Sequence, residues 1–343
     1  MARQFKRLMV IAASGIALTA LSSTVQAAEE VNIYSYRQEV LIRPLLARFT
    51  EKTGIRVNVV FAKKGMIARL KAEGVNSPAD VILTVDAGRL IRAKQAGVLQ
   101  SVRSATLAKA IPAQYRDPDG QWFGLTVRGR PVIYKIGKVK PAELSTYEAL
   151  ADAKWKGRIC IRSSGNIYNQ SMLAAMVAHL GIAKTEAWAK ALVANFARKP
   201  KGGDRDQIRA VAAGICDIAI ANTYYLAGMT RSKRASDRQA ATKVRIFWPN
   251  QAGRGAHVNI SGAGVTRSAK NRANAIKLLE FLAGDEAQRL YAQKVLEYPV
   301  KRGIAVAEVL EGWGKFKADR LKLSELAKHN AQAVKIADRA GWR

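Results

Sequence analysis

The chain has 343 residues, 49% of them hydrophobic, with two cysteines and no low-complexity tract or repeat of solenoid period. It is therefore neither a disordered segment, a disulfide-dense miniprotein nor a repeat array. Its formal charge of +31 draws it toward anions such as nucleic acid, an anionic membrane surface or anionic chelates, but the basic residues are scattered rather than gathered into one arm interleaved with aromatics, which argues against specific nucleic-acid recognition.

In chain order, residues 1–27 read as a secretory leader. Arg3, Lys6 and Arg7 form a basic start, 8–21 an apolar run too short for a comfortable membrane span, and Val25, Gln26 and Ala27 a small-x-small cleavage pattern. Cleavage after Ala27 leaves 316 of 343 residues and, with three cations removed, lowers +31 to +28. No cysteine marks the cut for lipid attachment, and no paired arginine is present, so a periplasmic chain exported unfolded and loaded with any metal afterwards is expected. No later segment is apolar enough to span a membrane.

Strands are predicted over 31–36, 56–61 and 79–84, with helices over 39–52, 64–73 and from the Asp86 cap to 95. Pro44 is tolerated in the early turns of the first helix, and Gly54 stops it. This alternation predicts a parallel sheet with right-handed crossovers. Extended segments at 122–127 and 131–135 would carry the chain to a second α/β lobe. That lobe has strands at 158–162, 217–221 and 244–248, and helices near 168–180, 185–196 and 205–213. The run 257–265 returns the chain to helices at 271–282 and 286–295, and a helical tail begins near 321. The expected organisation is lobe 1 over 28–128 plus 251–310, lobe 2 over 129–250 and a C-terminal helical segment over 311–343, with a ligand cleft between hinged lobes.

Tyr224 and Tyr225 follow the buried-strand run Ile218, Ala219, Ile220 and Ala221, and Tyr168 follows the run Ile159, Cys160 and Ile161. Strand ends of this kind hold ligands in open α/β folds. A single tyrosine is ordinarily a packing residue, but three phenols gathered at strand ends of an exported chain point to a hard, highly charged metal ion such as Fe(III), which displaces the phenol proton. Asn222 and Thr223 suit a cap that would turn both following tyrosines into one cleft. Ser163, Ser164, Gly165 and Asn166 either cradle carbonate or another small anion at a helix N-terminus or form a simple turn. Arg128 and Arg130 flank Gly129 at the expected hinge, either gripping an anion near the phenols or standing as exposed charges. In lobe 1, Glu39 is a hard oxygen donor that also suits the first turn of a helix, and Gln38 would hydrogen-bond a metal-bound water. Cys160 and Cys216 form either one bridge or two buried thiols. No zinc spacing, P-loop, dinucleotide fingerprint or nucleophile elbow is present.

The stretches 31–35 (VNIYS), 76–81 (NSPADV), 155–158 (WKGR), 161–164 (IRSS), 168–171 (YNQS), 221–225 (ANTYY), 297–300 (EYPV) and 340–342 (AGW) resemble the periplasmic ferric-binding proteins of iron ABC importers, most of all the branch with the cyanobacterial members. The resemblance implies a two-lobe, type II-like periplasmic binding fold and capture of Fe(III) by Tyr168, Tyr224 and Tyr225. It also implies a monomer that docks on an inner-membrane ABC permease and is not an enzyme. Family members add a lobe-1 tyrosine beyond the arginine matching Arg37. Here those places hold Gln38, Glu39 and Val40, so Glu39, water or an anion takes that position. The alternatives are a receptor for an anionic solute or iron chelate, or a basic polyanion-binding protein.

Overall fold

The computed structural model describes residues 29–343, so the leader and its cleavage point lie outside the described residues. The first sheet starts as the periodicity predicts. β1 (Glu30–Ser35), β2 (Arg56–Phe61) and β3 (Val81–Thr84) are parallel and connected through α1 (Glu39–Thr53) and α2 (Met66–Glu73). α1 buries Ile42, Leu45, Leu46 and Phe49, a stripe at helical spacing, and stops at Gly54, whose φ of 72° is the left-handed cap conformation. α3 (Ala87–Gln95) is capped by Asp86, whose carboxylate accepts from the Gly88 N–H at 2.8 Å. The short α4 (Ala105–Ala110) leads to β4 (Phe123–Gly129).

The chain then crosses to a second sheet containing β5 (Val132–Lys135), β6 (Ile159–Cys160), β7 (Ile218–Ile220) and β8 (Val244–Phe247). Its helices are α5 (Ile167–Leu180), α6 (Ile182–Ala194), α7 (Asp204–Ala213), α8 (Thr223–Thr230) and α9 (Ala235–Thr242). β9 (Val258–Val265) brings the chain back, followed by α10 (Arg272–Ala283), α11 (Asp285–Leu290), β10 (Tyr298–Pro299), α12 (Glu308–Glu311), α13 (Leu323–Lys328) and α14 (Asn330–Arg339).

The strand orders are β10-β4-β9-β3-β1-β2 and β6-β7-β5-β8. The first sheet is mixed rather than wholly parallel, because β9 pairs antiparallel with both β3 and β4. A strand that leaves a lobe and one that returns beside it must run in opposite senses, and antiparallel pairing accommodates them directly. The two crossings lie side by side: Gly129 pairs with Val258, Val132 with Phe247, and the Arg130 N–H donates to His257 O at 3.1 Å. Gly129 packs closely on Trp248: a Cβ there would lie 2.6 Å from Cζ3 of the ring, which would have to move to admit it. The Trp248 ring is itself stacked on Phe316 at 3.8 Å and 10°.

The predicted helix over 286–295 is divided. α11 gives way to a π-helical turn at Tyr291–Val295, and Leu296 takes a left-handed φ of 63°. The bend delivers Glu297 into the interior, where its carboxylate meets Arg37 at 3.0 Å. At the C-terminus α13 packs on α3 and α5, and α14 on α5 and α6. One hydrophobic core fills the first lobe. The second lobe has a core containing Trp155, Trp188 and Trp342 and another beneath Tyr224 and Tyr225. Among the described residues no helix is long and apolar enough to cross a membrane.

Candidate metal centre

Both tyrosine motifs leave from neighbouring strands. β6 and β7 run parallel, and Cys160 and Cys216 are joined by a disulfide, which settles the alternative left open by the sequence in favour of a bridge. After β6 the chain turns at 161–166 into α5, where Asn166 is the N-cap and its side chain accepts from the Tyr168 N–H at 3.0 Å. After β7 the chain turns at once into α8, with Tyr224 and Tyr225 in the first turn. The three phenols therefore meet at the starts of two helices. The Tyr168 and Tyr224 hydroxyls are 3.2 Å apart, and the Tyr224 and Tyr225 rings lie 4.2 Å between centroids. Tyr224 and Tyr225 are buried and Tyr168 is half-buried.

Asn222 occupies the N-cap position of α8 but does not cap it with its side chain. Its Oδ1 instead accepts from Arg130 at 2.9 Å, while its N–H donates to Asp204 at 2.8 Å. Asp204, which nothing in the sequence singled out, joins three parts of the site. Its buried carboxylate meets Arg130 at 3.3 Å on the crossing, Arg162 at 3.1 Å on the Tyr168 loop, and the turn into α8. Asn169, one residue after Tyr168, accepts from Arg130 through Oδ1.

Arg128 and Arg130 are each 2% exposed, so they are not a surface pair. Their guanidinium carbons lie 5.3 and 6.0 Å from the Tyr168 ring centroid, Arg162 lies 5.5 Å from it, and Arg205 lies 5.1 Å from the Tyr225 centroid. Arg128 donates to Ser261 Oγ at 2.7 Å, and Arg37 donates to the same oxygen at 2.6 Å. Nε and Nη2 of Arg128 and Nδ2 of Asn222 are buried without a hydrogen-bond partner among the described residues. Buried donors of this kind require an acceptor.

Burial raises the Tyr224 phenol well above its ordinary value; charge on the Tyr168 and Tyr225 phenols adds to this, and Arg128 opposes it. Burial likewise raises Tyr225, reinforced by charge on Tyr168 and on Asp204. Both phenols are therefore neutral near pH 7 unless a cation displaces their protons.

The lobe-1 candidates separate. Gln38 is exposed and lines a cavity of about 540 Å³ together with Arg162, Arg205, Arg234 and Tyr225. Glu39 is the first residue of α1, pairs with Arg43 one turn on, and is not among the residues lining that cavity. The loop 163–166 satisfies much of its own polarity: Ser163 Oγ accepts from the Gly165 N–H at 3.1 Å, and the Asn166 N–H donates to Ser163 O at 3.2 Å. His179 contacts Asp319 at 2.7 Å and His329 contacts Glu325 at 3.2 Å, while His257 is buried beside the crossing. Among the described residues no group of three or more His, Cys, Asp and Glu side chains has metal-binding geometry.

Residues 76–317 match the family model described as bacterial extracellular solute-binding protein. The chain is 48% identical to iron uptake protein A1 of Synechocystis over 316 residues, covering 92% of this chain and 88% of the relative. The structure of the Trichodesmium IdiA/FutA protein in complex with iron and citrate superposes with a TM-score of 0.87 at 51% identity, covering 92% of this chain and all of that one. The apo ferric ion-binding protein A of Pasteurella haemolytica gives a TM-score of 0.87 at 45% identity, covering 92% and 98%.

Proposed function

This chain belongs to the bacterial extracellular solute-binding protein family, and on that premise we propose that it captures Fe(III) in the periplasm and delivers it to an inner-membrane ABC permease. The observation that carries the reading is the convergence of Tyr168, Tyr224 and Tyr225, with two hydroxyls 3.2 Å apart. Relatives and structural neighbours named for iron uptake and ferric binding support the cargo. In this reading the incoming ion displaces the three phenol protons to solvent, and the oxygens hold it as phenolates. The lobes are 28–128 with 251–310 and 129–250, and segment 311–343 spans both. Closure brings Gln38 toward Tyr225 over the cavity they share. Glu39 is held by Arg43 in the described conformation, so its ligation requires that exposed ion pair to break, which costs little.

Carbonate or another small anion completes the shell. The unpartnered Nε and Nη2 of Arg128, Nε of Arg130 and Nδ2 of Asn222 offer it donors, while Ser163 and Asn166, already engaged with protein partners, shape its surroundings. The role is transport rather than catalysis, and the chain acts as a monomer. A second reading, receptor for an anionic iron chelate, is favoured by Arg205 and Arg234 lining the cavity beside Tyr225.

The test is titration of the apo protein with ferric citrate, followed in the visible spectrum. A phenolate-to-iron charge-transfer band in the wild type, lost in Tyr225→Phe, is expected. Wild-type iron retention by both Tyr224→Phe and Tyr225→Phe would reject the assignment, and metal-free binding of citrate alone by calorimetry would favour the second reading.

A further inference from the structure

The last turn of the chain is anchored to the tyrosine site. After α14, Gly341 (φ 72°) reverses the backbone, and Trp342 is fully buried with its ring edge-on to Phe196 at 5.7 Å. Two hydrogen bonds tie this turn to the loop that leads into Tyr168: Trp342 Nε1 donates to Arg162 O at 3.0 Å, and Ser164 Oγ donates to Trp342 O. The Arg162 carbonyl also accepts from Asn169 Nδ2 at 2.8 Å, which fixes the amide whose oxygen receives Arg130. The Arg162 side chain in turn reaches Asp204 at 3.1 Å and lies over the Tyr168 ring. Buried Trp342 is thus one hydrogen bond from the backbone that places both a phenol and its neighbouring cation.

We infer that Trp342 is a positioning residue for metal capture: by holding Arg162 and Ser164 from behind, it sets the loop from which Tyr168 is presented to Tyr224 and Tyr225. The inference rests on the iron reading above and adds to it a residue at the far end of the sequence that touches neither metal nor phenol. It also gives the C-terminal segment a purpose at the site. The helices before Trp342 pack on α3 in the first lobe and on α5 and α6 in the second, so the anchor is fixed to the body of the protein.

The test uses the full mature chain in two mild variants. Trp342→Phe keeps an aromatic ring against Phe196 and removes the N–H donor, and Ser164→Ala removes the second bond from the other partner. Ser164→Ala loses one hydrogen bond and Trp342→Phe loses one together with part of a fully buried ring, so each is expected to weaken apparent affinity in a ferric citrate titration by roughly three- to tenfold. The charge-transfer band should move in wavelength, because the Tyr168 oxygen no longer meets the metal at its set position. Melting temperatures are measured alongside. A lowered melting temperature with band and affinity unchanged in both variants would mean that Trp342 only stabilises the fold, and would overturn the inference while leaving the iron reading intact. Absence of the band in the wild-type chain would overturn the iron reading and this inference with it.

Discussion

Asp204→Asn tests the charge at the centre of the site. The substitution preserves volume and one acceptor oxygen but removes the negative charge shared by Arg130 and Arg162. The Asp204 side chain is fully buried and that of Arg130 is 2% exposed, so neither water nor salt replaces the lost partner. Removing one member of a buried pair costs about 3–5 kcal/mol, and the retained amide oxygen recovers about 1 kcal/mol through one hydrogen bond. The expected loss is about 2–4 kcal/mol, a sizeable part of the 5–15 kcal/mol typical of a domain. Urea denaturation of the apo protein measures it. The same variant loosens the Asn222 N–H at the entry to α8, so iron affinity should fall as well. A stability change below about 0.5 kcal/mol, the size of an ordinary surface substitution, with unchanged iron affinity would refute the role given to Asp204.

Three further outcomes are expected. Gly129→Ala places a methyl against the Trp248–Phe316 stack; overpacking of about 1–3 kcal/mol should lower the melting temperature by several degrees, and an unaltered temperature would show that the stack yields. Because the Tyr224 and Tyr225 phenols are raised and protonated when free, each releases a proton on binding Fe(III), so apparent affinity should fall as pH drops from 8 to 6 in a citrate competition; pH-independent affinity would count against phenolate ligation. His257 is pushed down to about 3, by burial first and then by Arg130 and Arg128. It therefore stays neutral in the fold while the unfolded chain takes up a proton near its ordinary 6.5. The stability it contributes is complete above pH 6.5 and is lost as pH falls toward 3, at about 1.4 kcal/mol per pH unit. His257→Gln should flatten urea stability between pH 6.5 and 5, and an identical slope would contradict this.

Local signals were legible where a few residues sufficed. Gly54 stops α1, Asp86 caps α3, and the apolar runs before Tyr168 and before Tyr224 are strands ending at the candidate centre. Features set by distant partners were not. Nothing between 285 and 295, which contains neither Pro nor Gly, announces the π-helical turn; it accommodates Glu297, whose partner Arg37 lies 260 positions away. Asp204 reads as an ordinary first-turn acid after two glycines, and only the fold brings Arg130 and Arg162 to it. Asn222 was recognisable as a residue suited to a cap, yet the nearby Arg130 diverts its side chain. Glu39 carries both a helix-start signal and a hard-donor signal, and in the structure Arg43 holds it at the helix surface.

The central claim is that three phenols hold the metal. A crystal of the iron-loaded protein, measured with anomalous scattering at the iron edge, addresses it directly. The account predicts one strong iron peak within bonding distance of the Tyr168, Tyr224 and Tyr225 oxygens. An iron peak elsewhere, or one bonded to none of these three, would contradict it.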